Sequence, residues 1–217
     1  MRCATVTSNL AGMAFSWDDS RRAFTDAAHW FVRTAALVGD RWTEPGLGEW
    51  NVRALVGHTS RSLLTVETYL ARPAAVVDVA STPDYFRVTR ATAADPAVAT
   101  RGWEAGKALG PDPADAVAQI AARVLPLVAA QDGTELVTTI AGGMRLADYL
   151  PTRTFELAVH TADLATALGL PPDVPATAAA QALQIVADLA VSDGLAGRLL
   201  LTATGRPGLP AGFSVLT

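Results

Sequence analysis

Four long segments carry apolar residues at helical spacing, and this pattern limits the possible folds more than any other feature of the chain. Each apolar stripe must leave water, and four stripes in one chain are covered most simply by packing against one another as a helical bundle. The first segment runs from near Ser16 to Val38, with Phe24, Ala27, Phe31, Ala35 and Val38 on one face. Its Asp18 and Asp19 suit the positive end of the helix dipole. The second opens at Asn51, a good N-cap residue, and reaches about Leu70, burying Val52, Val56, Leu63, Val66 and Leu70. The third starts after Pro111 or Pro113 and ends near Gln131, with a kink expected at Pro126. The fourth is expected to begin at Pro151, a residue suited to a first helical turn, and to stop at Gly169 before Pro171 and Pro172.

Between these segments, RWTEPGLGEW is a loop, and so is Arg72 to Pro83, on the strength of Pro73 and Pro83. A short helix is expected from Pro96 to Leu109 with Asp95 as its cap. The β-branched run Glu135 to Ile140 is expected to pair with Met144–Leu146 across Gly142–Gly143 as a short hairpin. An Ala-rich fifth helix covers Ala176 to Val191, and the tail ends in a Pro/Gly-rich segment. The expected fold is therefore mainly α: a four-helix bundle with a short β-hairpin and a C-terminal helical extension. Residues 1–217 form one domain in this reading, with the bundle over about 16–170 and the extension over about 171–217.

Composition narrows the function classes. A net charge of −4 in 217 residues gives no electrostatic case for nucleic acid or an anionic membrane surface. The N-terminus does not read as a secretory signal, and the most apolar stretch, Val174 to Ala187, is short for a bilayer span and contains Gln181 and Gln184. The single cysteine, Cys3, excludes an intrachain disulfide framework and is assigned no role. A soluble, cytoplasmic monomer or homodimer is expected. Serine-hydrolase and phosphate-loop signatures are absent, and Gly142–Gly143 lies in no phosphate-binding context.

Any histidine-based site must use His29, His58 and His160. His29 shares its helix face with Arg22, Thr25 and Arg33, opposite the apolar row, and is read as solvated. His58 lies beside the apolar row in a strip with Ser62, Thr65 and Tyr69; alone, it fits a boundary histidine bonded to a carbonyl or hydroxyl. Glu156 and His160 stand four residues apart on one face, with Asp163 on the same stripe beside Leu157, Leu164 and Leu168. A surface Glu–His hydrogen bond would account for that pair. Taken together, however, His58, Glu156 and His160 make a two-histidine, one-carboxylate metal set with a coordination position open for water or substrate. The set serves zinc or non-haem iron equally. Asp163 then either orients an imidazole or forms a salt bridge. Arg153, about one turn before Glu156, either pairs with a carboxylate or binds an anionic substrate. Trp42 and Trp50 are read as packing anchors.

The segments EWNVRALVGHTS and YLPTRTFELAVHTADLATALG resemble the N-terminal domain of the mycothiol-dependent maleylpyruvate isomerase family, within the wider DinB-like metal-binding bundles. Trp50 and His58 match one motif; Arg153, Glu156, Leu157, His160, Asp163, Leu164, Ala167 and Gly169 match the other. The likeness spans about Trp17 to Leu170, and the tail TGRPGLPAGFSVL resembles tails on relatives. The resemblance implies a divalent metal on His58, Glu156 and His160, zinc first, with nickel, iron and manganese left open. It also implies mycothiol as cosubstrate, with a carboxylate of the thiol as a further candidate partner for Arg153, and transfer of its sulfur to a small electrophile or cis–trans isomerisation of one. A non-catalytic divalent-metal-binding bundle with a stress or association role is the alternative. Two departures bear on the substrate. The resembled isomerase has a further domain, longer than the stretch after Gly169 here, so maleylpyruvate itself is not expected. Ala162 stands where relatives often have an aromatic, which implies a different pocket shape.

Overall fold

Side-chain caps open three of the long helices where the sequence places them. The structure, a computed structural model, describes residues 15–93, 97–210 and 212–216. Helix α1 (Trp17–Ala36) starts with the Asp19 amide donating to Ser16 Oγ. A 3₁₀ turn over Arg41–Thr43 leads to a hairpin of β1 (Pro45–Leu47) and β2 (Trp50–Asn51). Helix α2 (Val52–Leu70) comes next, capped by Asn51 Oδ1, which accepts from the Ala54 amide at 2.9 Å. It is succeeded by α3 (Thr82–Ala93), α4 (Ala97–Ala108) and α5 (Pro113–Ala129), the last capped by Asp112 with Pro113 in its first turn. Strands β3 (Leu136–Thr139) and β4 (Gly142–Arg145) pair antiparallel and lead directly into α6 (Leu146–Ala167), after which come α7 (Ala176–Ser192) and α8 (Ala196–Ala203).

The bundle is the ring α1–α6–α2–α5, each helix packing on two neighbours. Phe24, Phe31, Leu55, Leu63, Leu157 and Leu164 are fully buried at its centre, as is Tyr149. Close packing of such side chains contributes on the order of 2 kcal/mol each relative to exposure. Helix α4 docks on α2 at backbone distance, because a Cβ on Gly57 would come within 2.1 Å of the Gly106 nitrogen. Helix α7 packs on α1 and α6, and the buried Gln181 donates from Nε2 to Ser20 Oγ at 2.9 Å. No helix among the described residues is long and apolar enough to cross a membrane.

The mainly helical expectation holds, with four differences of detail. Residues 82–93 are helical, so the loop expected to reach Pro83 ends at Ser81 and the helix takes in residues 84–93, to which the sequence pattern assigns no element. Pro83 stands in the first turn, where its missing N–H is harmless, and Ser81 Oγ caps by accepting from the Asp84 amide at 3.3 Å. The loop around Pro45 contains a second hairpin. In the expected hairpin, Thr139 pairs with Gly142 and Thr138 with Gly143, so the glycines lie in the strand and the turn falls at Ile140–Ala141. Helix α6 starts five residues before Pro151. Backbone carbonyls of Glu135 and Gly133 accept from the Leu146 and Ala147 amides at 2.8 and 3.0 Å, replacing a side-chain cap. The cap expected at Asp95, and Cys3, lie outside the described residues.

Candidate metal centre

His58 projects from α2 toward α6, where Glu156 and His160 sit one turn apart. Glu156 Oε2 lies 3.3 Å from His160 Nε2, and the two imidazole rings meet edge to face with centroids 4.9 Å apart. One potential ligand atom from each of His58, Glu156 and His160 lies within 4.8 Å of those of the others. On its far side, His160 bonds through Nδ1 to Asp163 Oδ2 at 3.1 Å. Trp50 packs its indole against His58, with centroids 4.4 Å apart, and donates from Nε1 to the Ala99 carbonyl of α4 at 3.0 Å. A Cβ on Gly102 would fall 2.4 Å from that indole, so α4 can press Trp50 onto His58 only with glycine there. His29 is exposed on α1.

The electrostatics of the three side chains differ. Burial, aided by the positive charges of His160, Arg61 and Arg153, lowers His58 to about 4, so it is neutral at pH 7. For Glu156, burial works against the charged form, but the hydrogen bond with His160 and the charge of Arg153 prevail and bring it down to about 2. Burial also opposes charge on His160, yet its bonds to Asp163 and Glu156 raise it to about 9. In the absence of a cation the site thus holds an imidazolium clamped between two carboxylates, beside a neutral imidazole. The Nδ1 of His58 is buried without a hydrogen-bond partner, a costly arrangement that a cation would relieve. Two imidazoles and a carboxylate on converging helices fit a divalent transition metal by donor chemistry as well.

The site opens into a pocket of about 430 Å³, within the ordinary range for small-molecule sites. Its floor includes Arg153, whose guanidinium lies 5.3 and 5.1 Å from the ring centroids of Tyr85 and Tyr149 and donates to the Tyr85 hydroxyl at 3.4 Å. Burial pushes both tyrosines up, which keeps them neutral partners for the guanidinium. Among the described residues, no carboxylate forms an ion pair with Arg153, Arg61 or Arg101, and all three line the pocket. Among the described residues, Glu156 is the only carboxylate in the lining, and it is bonded to His160.

A family model described as the mycothiol maleylpyruvate isomerase N-terminal domain matches residues 17–165. The chain belongs to that family. The matched span includes His58, Glu156, His160 and Asp163, and membership makes this a mycothiol-linked protein whose helical fold is consistent with the DinB-like type. No curated protein and no solved structure matches the chain.

The structure brings together four of the residues singled out from the sequence around His160 and adds Arg153 to the adjoining pocket wall. Of the alternatives left open for Arg153, a direct ion pair with Glu156 does not form, and Trp50, read as a packing anchor, also lines the site. Sequence reasoning missed Tyr85, Phe86, Arg61 and Arg101. The first two could have been found from Ser81-Thr-Pro-Asp84, an N-terminal helix signature, followed by Tyr85, Phe86, Thr89 and Arg90 at helical spacing. Arg61 sits one turn beyond His58 on α2, whereas nothing local marks Arg101.

Proposed function

We propose that the protein is a metal-dependent enzyme that joins mycothiol to a small anionic electrophile, or isomerises one. The observation that carries this reading is the convergence of His58, Glu156 and His160 at the base of an open pocket. These residues would hold the ion, with zinc the first choice for the donor set. When bound, such a cation favours thiolate over thiol at neutral pH, supplying a nucleophile that the chain's lone cysteine does not need to provide.

The remaining work falls to the chain's own residues. Asp163 holds His160 through Nδ1, fixing the ring so that Nε2 faces Glu156. Trp50 excludes water from one face of His58. Arg153 binds the anionic group of the electrophile, because a guanidinium lodged in the protein with hydroxyl and ring partners, and with Glu156 acting on it only through charge and no direct ion pair, is completed by an anion. Mycothiol has no carboxylate, so that anion belongs to the second substrate. Arg61 and Arg101 add attraction in a chain that is acidic overall. Addition of the sulfur to an activated double bond, completed by a proton, gives an S-conjugate. Addition, rotation and elimination instead return the thiol and the other geometric isomer. The reading includes a cytoplasmic setting, where a small-molecule thiol stays reduced, and a monomer or homodimer.

The test is incubation of zinc-loaded protein with mycothiol and a panel of unsaturated or halogenated carboxylates, followed by mass spectrometry. Thiol consumption or isomerisation that disappears in a His160→Ala variant supports the reading. If no member of the panel reacts while zinc still binds, the protein is a non-catalytic metal-binding bundle.

A further inference from the structure

The family match ends at residue 165, yet the pocket wall does not. Leu216 lines the pocket, fifty-one residues beyond the matched span, and its neighbour Val215 is buried in the main core. The segment is held by particular bonds. Arg90 of α3 donates to the Val215 carbonyl at 3.2 Å and also to the carboxylate of Asp193 at the end of α7. Arg87, one turn earlier, reaches Ser192 and lies 3.8 Å from the same Asp193 carboxylate. Within the tail, the Phe213 amide donates to the Pro210 carbonyl and the Leu216 amide to Ser214 Oγ, each at 3.0 Å. The tail is thus fastened to the helix that supplies Tyr85 and Phe86 to the pocket.

We infer that the tail is a structural wall of the substrate pocket and that Leu216 is a specificity-determining residue, limiting the size of the apolar part of the bound anion. This rests on the proposed function, in which the pocket is the substrate site. Arg90 acts as a positioning residue, its charge committed to Asp193 and its reach to the tail, which leaves Arg61, Arg101 and Arg153 for the ligand. An apolar side chain in a pocket wall discriminates by shape alone, and one removed or added group of methylene size changes affinity by roughly tenfold or more.

The test is calorimetric binding of two unreactive probes, benzoate and 4-tert-butylbenzoate, to the zinc-loaded full chain and to the Leu216→Ala and Leu216→Trp variants. The affinity ratio of the bulky to the small anion should rise roughly tenfold in Leu216→Ala and fall by a similar factor in Leu216→Trp. An Arg90→Gln variant, which frees the tail without touching Leu216, should move the ratio in the same direction as Leu216→Ala. Unaltered zinc binding shows that each variant is folded. A ratio unchanged in all three variants overturns the inference, as does failure of the unsubstituted protein to bind either anion. Since neither probe reacts, absence of thiol consumption would sink the proposed chemistry while leaving this result readable.

Discussion

Glu156 and His160 reach the pocket from one helix at fixed spacing, with Asp163 behind them on His160, whereas Leu47, Tyr85, Phe86 and Leu216 reach it from three separate segments. The first wall is set by α-helical geometry, with His58 supplied by the adjacent bundle helix, and is held by bonds of 3.1 to 3.3 Å between neighbouring turns. The second wall depends on arginine bonds between α3, α7 and the tail, and on a hairpin lying over the bundle. Under the proposed function, such a division would place metal chemistry on the part of the fold fixed by helical geometry. Selectivity falls on parts that can change without disturbing it. Substitutions on the helical wall should therefore act on metal binding, and those on the other wall on ligand choice.

The largest effect is expected from Glu156→Gln, which removes the only carboxylate of the ligand set. Zinc affinity measured with a competing chelator should fall roughly a hundred- to a thousandfold, the share of one ligand in a typical zinc-site binding free energy. Retained affinity would remove Glu156 from the site. Asp163→Asn should lower zinc affinity by about 10- to 100-fold, because His160 loses an anionic partner for its ring N–H. No change there would mean that the bond to Asp163 is only a helix-surface pair. Arg153→Met tests the other side of the comparison. It should raise KM for an anionic electrophile roughly 10- to 100-fold, the worth of one charged hydrogen bond, with zinc binding preserved. Equal loss for an uncharged electrophile would contradict the anion-binding role. Gly102→Ala should destabilise the fold by about 1–3 kcal/mol in denaturant titration, since the indole of Trp50 must move off its seat.

A smaller effect separates metal-free from loaded protein. His160 stands at about 9 without metal, above its ordinary 6.5, so its stabilising contribution is complete below pH 6.5 and lost as pH rises to 9. His58 stands at about 4, so protonation favours the unfolded chain and stability falls as pH drops from 6.5 toward 4. Metal-free protein should accordingly show a melting temperature that peaks near pH 6.5. Zinc binding displaces the His160 proton, so affinity should climb with pH and the alkaline decline should flatten. A metal-free melting temperature that rises steadily to pH 9 would show that the imidazolium is not clamped between the two carboxylates.

The helical wall is legible in the sequence because its information is local. Apolar periodicity marks all four bundle helices, and the four-residue spacing of Glu156 and His160 marks their common face. Helical phase also separates exposed His29 from His58. Other features depend on partners distant in sequence or on signals that must be weighed together. Pro83 reads as a breaker unless Ser81 and Asp84 are taken with it as a start signal. The early start of α6 depends on carbonyls of Gly133 and Glu135, which no local pattern reveals. Arg101 and Leu216 become site residues only when α4 docks through Gly57 and Gly106 and when Arg90 fastens the tail. Periodicity locates faces of helices, but docked segments are placed by bonds that the chain makes only after folding.

The most direct measurement of the central claim is the zinc content per chain, by elemental analysis after exhaustive dialysis, of the unsubstituted protein and of His29→Ala, His58→Ala and His160→Ala. The expected result is about one zinc per chain in the unsubstituted protein and in His29→Ala, with none retained by the other two, as three convergent ligands require. Equal zinc in all four proteins, or loss in His29→Ala alone, would contradict the assignment of the site to His58, Glu156 and His160.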